Sequence, residues 1–135
     1  MAKQFTYGRQ ERLKSRKLIE QLFREGRSLA VAPFRVYYLL NKKEGVNDKA
    51  APAIVQCGFG VSSRQFKKAV DRNRVKRVAR EAWRTQKQAL VDAMAARPEQ
   101  LALFFIYTGK ELPDFALVKE KTAVIVNKLT AIINK

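Results

Sequence analysis

The chain contains no histidine among its 135 residues. That removes the side chain most often used as a general base and as a metal ligand near neutral pH. Cysteine is almost as scarce. Cys57 stands alone, so no disulfide can form within the chain, which fits a reducing compartment. It lies in the apolar run 53–61 and reads as a small buried hydrophobe, with no histidine to activate its thiol. Acidic residues are few, 12 against 28 lysines and arginines, and most sit beside cations, as in Glu11-Arg12 and Asp71-Arg72. No HExxH, paired-cysteine or phosphate-loop pattern occurs, and Gly58-Phe59-Gly60 lacks the third glycine of a dinucleotide fingerprint. The residues offer no catalytic core of their own. Long hydrophobic runs are missing too. The best, 101–107, has strand length and falls far short of the roughly 20 residues of a membrane span. Residues 1–12 carry no apolar signal-peptide core, so a cytoplasmic location without membrane contact is expected.

What the chain has is positive charge on a foldable background. The formal net charge is +16 and the isoelectric point about 10.4, while 47% of residues are hydrophobic. A chain of this length reads as one domain, 1–135, able to bury roughly two thirds of its unfolded surface. Its charge points to a polyanionic partner, with nucleic acid ahead of an anionic membrane.

Residues 1–14 read as a flexible basic arm. Ser15 is placed to cap a short helix with an apolar face of Leu18, Ile19, Leu22 and Phe23, ended by Gly26 as a left-handed residue. Residues 28–40 read as extended and bent at Pro33, with Phe34, Val36, Tyr38 and Leu40 on one face and Arg35, Tyr37 and Leu39 on the other. The polar connection 41–52 suits a hairpin or a longer loop, and 53–61 is the next strand. Gly58 and Gly60 in that strand suggest a bulge or the close approach of another backbone. A long basic helix starts between 65 and 69 and runs to about Met94, followed by a strand at 101–108. Asp114 is placed to cap a last helix carrying Leu117, Val118, Ala123, Val126, Leu129 and Ile133. The order α-β-β-β-α-β-α gives an α+β sandwich of helices on a sheet, with sequential strands antiparallel and the last strand able to add in parallel.

The basic helix is the most informative element. Nine cations fall between Arg64 and Arg84, opposed only by Asp71 and Glu81. At about 100° per residue, Arg72, Asn73, Lys76, Arg77, Arg80 and Arg84 share one face. Val75, Val78, Ala79 and Ala82 form another, Trp83 lies where the two meet, and Arg74 points away from both. Such a rod presents planar arginine forks in fixed register, which suits phosphates, whereas an ordinary solvated face mixes charge signs. Phe23 and Tyr37 form a second constellation that could stack single-stranded bases. Phe23, on an apolar face, reads more simply as core; Tyr37 shares a face with Arg35, which favours an accessible surface.

Residues 69–81, Ala-Val-Asp-Arg-Asn-Arg-Val-Lys-Arg-Val-Ala-Arg-Glu, resemble the signature of bacterial ribonuclease P protein subunits. Arg12-Leu13-Lys14, then Phe23, Gly26, Ser28, Phe34 and Tyr37, and the run Gly58-Phe59-Gly60-Val61-Ser62, match in order and spacing over about residues 10–130. The resemblance implies an α-β-β-β-α-β-α two-layer sandwich with a left-handed βαβ crossover, against the usual handedness, as in certain ribosomal proteins and domain IV of elongation factor G. It implies a protein that assists a catalytic RNA in removing the 5′ leader of precursor tRNA. Magnesium would be held mainly by the RNA, none by the protein alone, and the protein would be monomeric apart from RNA. The matching catalytic-RNA contacts are Arg72, Asn73, Arg74, Lys76, Arg77 and Arg80; the matching leader contacts are Ile19, Phe23, Tyr37, Ser62 and Arg64. Two places depart from the family pattern: Ile19 stands where an aromatic is common, and Ser63-Arg64 where two lysines are. A ribosomal or general RNA-binding protein without a processing role is the alternative.

Overall fold

The last strand of the chain lies inside the sheet. The computed structural model describes residues 12–13, 15–42, 55–95, 97 and 99–134. Its elements are α1 (Arg16–Glu25), β1 (Arg27–Val31), β2 (Phe34–Lys42), β3 (Val55–Val61), α2 (Ala69–Gln86), α3 (Gln88–Ala95), β4 (Glu99–Tyr107) and α4 (Phe115–Ile133). The strand order is β1-β2-β4-β3. Thus β4 pairs antiparallel with β2 and, as allowed for the last strand, parallel with β3; the expected antiparallel pairing of successive strands holds for β1 and β2 but not for β2 and β3. A hairpin joining β2 to β3 is ruled out by the strand between them; residues 43–54, which connect them, lie outside the described residues.

Alternation along the strands divides the sheet into two faces. One carries Phe34, Val36, Cys57, Leu101, Leu103 and Phe105, buried beneath α2, α3 and α4. Trp83 is 1% exposed and meets Phe105 edge-on at 5.7 Å, so the residue expected at the border of the helix faces belongs to the core. The other face carries Tyr37, Leu39, Ala102 and Phe104, and α1 rests on part of it through Leu18, Ile19 and the fully buried Leu22. Helices therefore lie on both faces, and α1 makes a partial third layer beyond the two expected.

Local sequence explains most boundaries. Ser15 accepts from the Leu18 N–H at 3.2 Å, and Asp114 accepts from the Ala116 N–H at 3.2 Å, as N-caps do. Gly26 ends α1, but in extended rather than left-handed conformation (φ −76°, ψ 169°). Its glycine is needed for closeness: a Cβ there would stand 2.5 Å from the Leu22 carbonyl oxygen and 2.9 Å from that of Tyr38. Ala32 and Pro33, joined by a cis peptide, form the β1–β2 turn. The Pro33 carbonyl accepts from Thr108 N–H at 2.7 Å and from its hydroxyl at 2.9 Å.

The long basic helix reaches Ala95 but is broken at Lys87, a residue only 4% exposed. The Lys87 carbonyl accepts from both Leu90 and Val91 N–H groups at 3.0 Å, so α3 begins with a tight turn and carries Leu90 and Met94 into the core. On α4 the buried face is Val118, Thr122, Ile125, Val126, Leu129 and Ile133; Leu117, expected inside, is exposed. Within the stretch expected to be an arm, Arg12 bridges to Cys57 and Leu13 is buried, with its N–H donating to the Cys57 carbonyl at 3.1 Å. The rest of that stretch, residues 1–11 and 14, lies outside the described residues.

Candidate nucleic-acid interface

The solvent side of α2 is built by burying the other side. Val75, Ala79, Ala82 and Trp83 face the core, which turns Asn73, Arg74, Arg77 and Arg80 out to water and leaves Lys76 half-buried. Arg72 behaves differently. Its Nη1 donates to the Phe66 carbonyl at 2.8 Å and to the Lys67 carbonyl at 2.9 Å. Lys68, the N-cap, supplies no side-chain hydrogen bond. Side chains tilt toward a helix N-terminus, so an arginine in the first turn reaches the chain that enters it. Arg72 thus clamps the entry loop rather than standing free beside Asn73. Arg84 is also engaged, forking onto Glu81 with its shortest contact at 2.7 Å, and this hydrogen bonding further favours its charged form.

The aromatic pair meets. Phe23 stands edge-on to Tyr37 at 4.9 Å and to Phe104 at 5.4 Å. It is 44% exposed, so the simple core reading of its helix face fails. The reason is that α1 rests over β2 and β4 with Leu22 at its centre, leaving Phe23 at the rim. Ile19 is half-buried against Leu13, Leu22 and Ala102. Arg35, on the same face as Tyr37 and two residues away, is exposed. Ser62 and Arg64 lie on the turn after β3: the Ser62 hydroxyl accepts from the Arg64 N–H at 3.1 Å, and its carbonyl from Gln65 and Phe66 at 3.2 Å. Phe66, buried at the end of that turn, is the residue whose carbonyl Arg72 holds. One loop therefore links the two groups of candidate residues.

Phe104 joins this ring pair unannounced by the sequence, because the run 101–107 is uniformly apolar and only the pairing with Tyr37 shows which face it takes. Its signal was indirect. Cβ atoms at Gly58 and Gly60 would come within 2.7 Å and 2.9 Å of its ring, so both glycines admit the ring, and Gly58 also admits the expected close backbone, with the Leu13 carbonyl oxygen 3.3 Å from its Cβ position.

No helix is long and apolar enough to cross a membrane among the described residues. Nor do three or more acidic or cysteine side chains converge there as a ligand set for a metal ion. Cys57 is fully buried, and burial drives its thiol pKa well up, with Lys87 opposing in part.

Comparison with known proteins agrees with this geometry. The family model described as Ribonuclease P matches residues 7–130. The ribonuclease P protein component of Porphyromonas gingivalis is 36% identical over 115 residues, covering 85% of this chain and 80% of the relative. That of Chlorobium phaeobacteroides is 32% identical over 127 residues, covering 88% and 84%. Among solved structures, the RNase P protein of Thermotoga maritima matches with a TM-score of 0.59 at 27% identity, over 87% of this chain and 96% of that one. The RNase P protein of Staphylococcus aureus matches with a TM-score of 0.64 over 88% and 94%; at 22% identity this likeness concerns the fold alone. A mixed α+β fold shared with these proteins, a cation-bearing α2 and a family match spanning nearly the whole sequence lead to one conclusion: the chain belongs to the ribonuclease P protein family.

Proposed function

We propose that the chain uses two separate surfaces for two RNA elements, the solvent side of α2 for the catalytic RNA and the aromatic cleft for the 5′ leader of precursor tRNA. As a ribonuclease P protein it is a subunit of an endoribonuclease whose RNA carries the catalysis, and it assists removal of the leader to give the mature tRNA 5′ end. The observation that carries the two-surface reading is the placement of the groups. Asn73, Arg74, Lys76, Arg77 and Arg80 belong to a helix packed on one face of the sheet, whereas Phe23 and Tyr37 lie over the other. A cation-rich rod suits a folded phosphate backbone. An exposed Phe23 and a half-buried Tyr37 beside Arg35 suit an unpaired strand, whose bases stack while its phosphates pair. In this reading Ile19 lines the covered side of the cleft and Ser62 and Arg64, on the turn after β3, also meet the leader, while Arg72 fastens the end of that turn to α2.

Discrimination follows physically. Precursor and product share the tRNA body, and only the precursor brings a leader to the rings. By neutralising phosphates the protein also lowers repulsion between the two RNAs, so fewer magnesium ions suffice. The magnesium ions belong mainly to the RNA in this reading. The β3–α2–α3–β4 connection between parallel strands is assigned the left-handed sense of the elongation-factor-G domain IV type. The protein is taken to be cytoplasmic and monomeric apart from RNA. A general RNA-binding role would account for the charge but would give the aromatic cleft no task.

The test mixes the protein with a bacterial ribonuclease P RNA and leader-bearing tRNA at low magnesium. Faster cleavage and tighter binding of precursor than of mature tRNA are expected. Unchanged cleavage together with equal affinities would overturn the proposal.

A further inference from the structure

Phe104 has the geometry of a ligand-facing ring, yet nothing in the sequence pattern assigns it a role. It is the direct cross-strand partner of Tyr37, on the sheet face that α1 only partly covers. Adjacent strands lie about 4.8 Å apart, so the two side chains rise side by side. Phe23 stands nearly perpendicular to both, at 74° to Tyr37 and 89° to Phe104. The three rings therefore make a floor of two with a wall between α1 and the sheet. On the far side of Phe104 the sheet has no side chains to compete, because its neighbours on β3 are Gly58 and Gly60. Any larger residue at either position would collide with the ring where it now lies. The Phe104 side chain is partly exposed, unlike its inward-facing neighbours Leu103 and Phe105.

We infer that Phe104 is a nucleobase-stacking residue, and that Tyr37 and Phe104 together receive two successive unpaired bases across β2 and β4. Aromatics on neighbouring strands of an open sheet bind single-stranded RNA in this way, one base to a ring, because every base has a π-face. Arg35, exposed on the Tyr37 side, is placed to meet the intervening phosphate. The arrangement also explains why the cleft tolerates an aliphatic Ile19 on α1: the second ring comes from the sheet instead. Phe104 packs in part against the Leu13, Leu22 and Ala102 cluster, and the part of it that stays exposed is the part the inference uses. The inference rests on the leader-cleft reading above and adds a residue and a base to it.

The experiment uses the full protein bound to its catalytic RNA. Affinities for mature tRNA and for precursor tRNA with leaders of increasing length are measured for wild type, Phe104→Leu and Gly60→Ala. Stacking of one base predicts that Phe104→Leu weakens precursor binding by between about fivefold and about 100-fold, and leaves mature tRNA binding unchanged. Gly60→Ala keeps the ring but displaces it, and is expected to weaken precursor binding in the same selective way. A 2-aminopurine base walked along the leader gives the direct signature: two neighbouring positions are quenched in wild type, and one of them recovers in Phe104→Leu. If wild type prefers precursor but Phe104→Leu and Gly60→Ala keep that preference and both quenched positions, the Phe104 inference falls and the cleft stands. If wild type itself binds precursor and mature tRNA equally, the cleft reading falls first.

Discussion

Removing the Arg72 guanidinium separates a clamp from a phosphate contact. Arg72 holds two carbonyls, of Phe66 and Lys67, through one nitrogen at 2.8 and 2.9 Å. A hydrogen bond to a charged group contributes about 1.5–3 kcal/mol when well shielded. Here the two bonds share a nitrogen and the site is half-open, so about 1.5 kcal/mol for the pair is the appropriate scale. For a chain of this size that corresponds to a fall in melting temperature of about 5–7 °C. Arg72→Gln should show that fall in the RNA-free protein, measured by thermal unfolding in buffer without phosphate. If the clamp is its whole role, the salt dependence of catalytic-RNA binding should keep its slope. Arg80→Gln should do the reverse, melting within about 0.5 kcal/mol of wild type. Its logarithmic salt slope should become shallower by about 0.7–0.9. An Arg72→Gln protein that melts like wild type and loses one phosphate's worth of slope would refute the clamp.

On the clamp reading of Arg72, and with Arg84 paired to Glu81, the phosphate contacts of α2 fall to four cations, Arg74, Lys76, Arg77 and Arg80. Their share of the salt slope should be about −3 to −4, less steep than six contacts would give, and is read from the difference between wild type and a fourfold Gln variant. Gly26→Ala should cost about 1–3 kcal/mol in urea unfolding with an unchanged denaturant slope, since the new methyl meets two backbone oxygens that cannot move aside cheaply. The Cys57 thiol, raised by burial above its ordinary 9.0, keeps a proton that the unfolded chain releases. Stability should therefore fall as pH rises above about 9, and Cys57→Val should lose that increment of pH dependence in paired melts. Sulfate or phosphate should raise the melting temperature of the free protein more than sodium chloride at equal ionic strength, because multivalent anions bind the exposed face of α2.

The elements whose character is written locally were legible from residue order. The apolar period of α2, the caps Ser15 and Asp114, and the alternation of Phe34, Val36 and Tyr38 against Arg35 and Tyr37 all depend on neighbours a few positions away. What escaped was non-local. The centrality of β4 is decided by which strands its two edges meet, and nothing within residues 99–107 records that choice. A helical wheel gave Arg72 the direction of Asn73, because it ignores the reach of a long side chain back past an uncapped N-terminus. The break at Lys87 has neither glycine nor proline to announce it. Phe23 was misjudged for a related reason: an apolar helix face buries its middle, and Leu22 took that place.

Placing β4 between β2 and β3 also orders events in the life of the chain. The strand that joins the two halves of the sheet is made after residue 98, so a growing polypeptide holds the β1–β2 hairpin and β3 with open edges and half a core. Unpaired edges of that kind recruit one another between molecules. The same lysines and arginines that seek phosphate keep such unfinished chains apart by mutual repulsion. The charge that makes this protein an RNA ligand thereby also guards its assembly, until β4 closes the sheet and creates, in one step, the floor on which Tyr37 and Phe104 stand together.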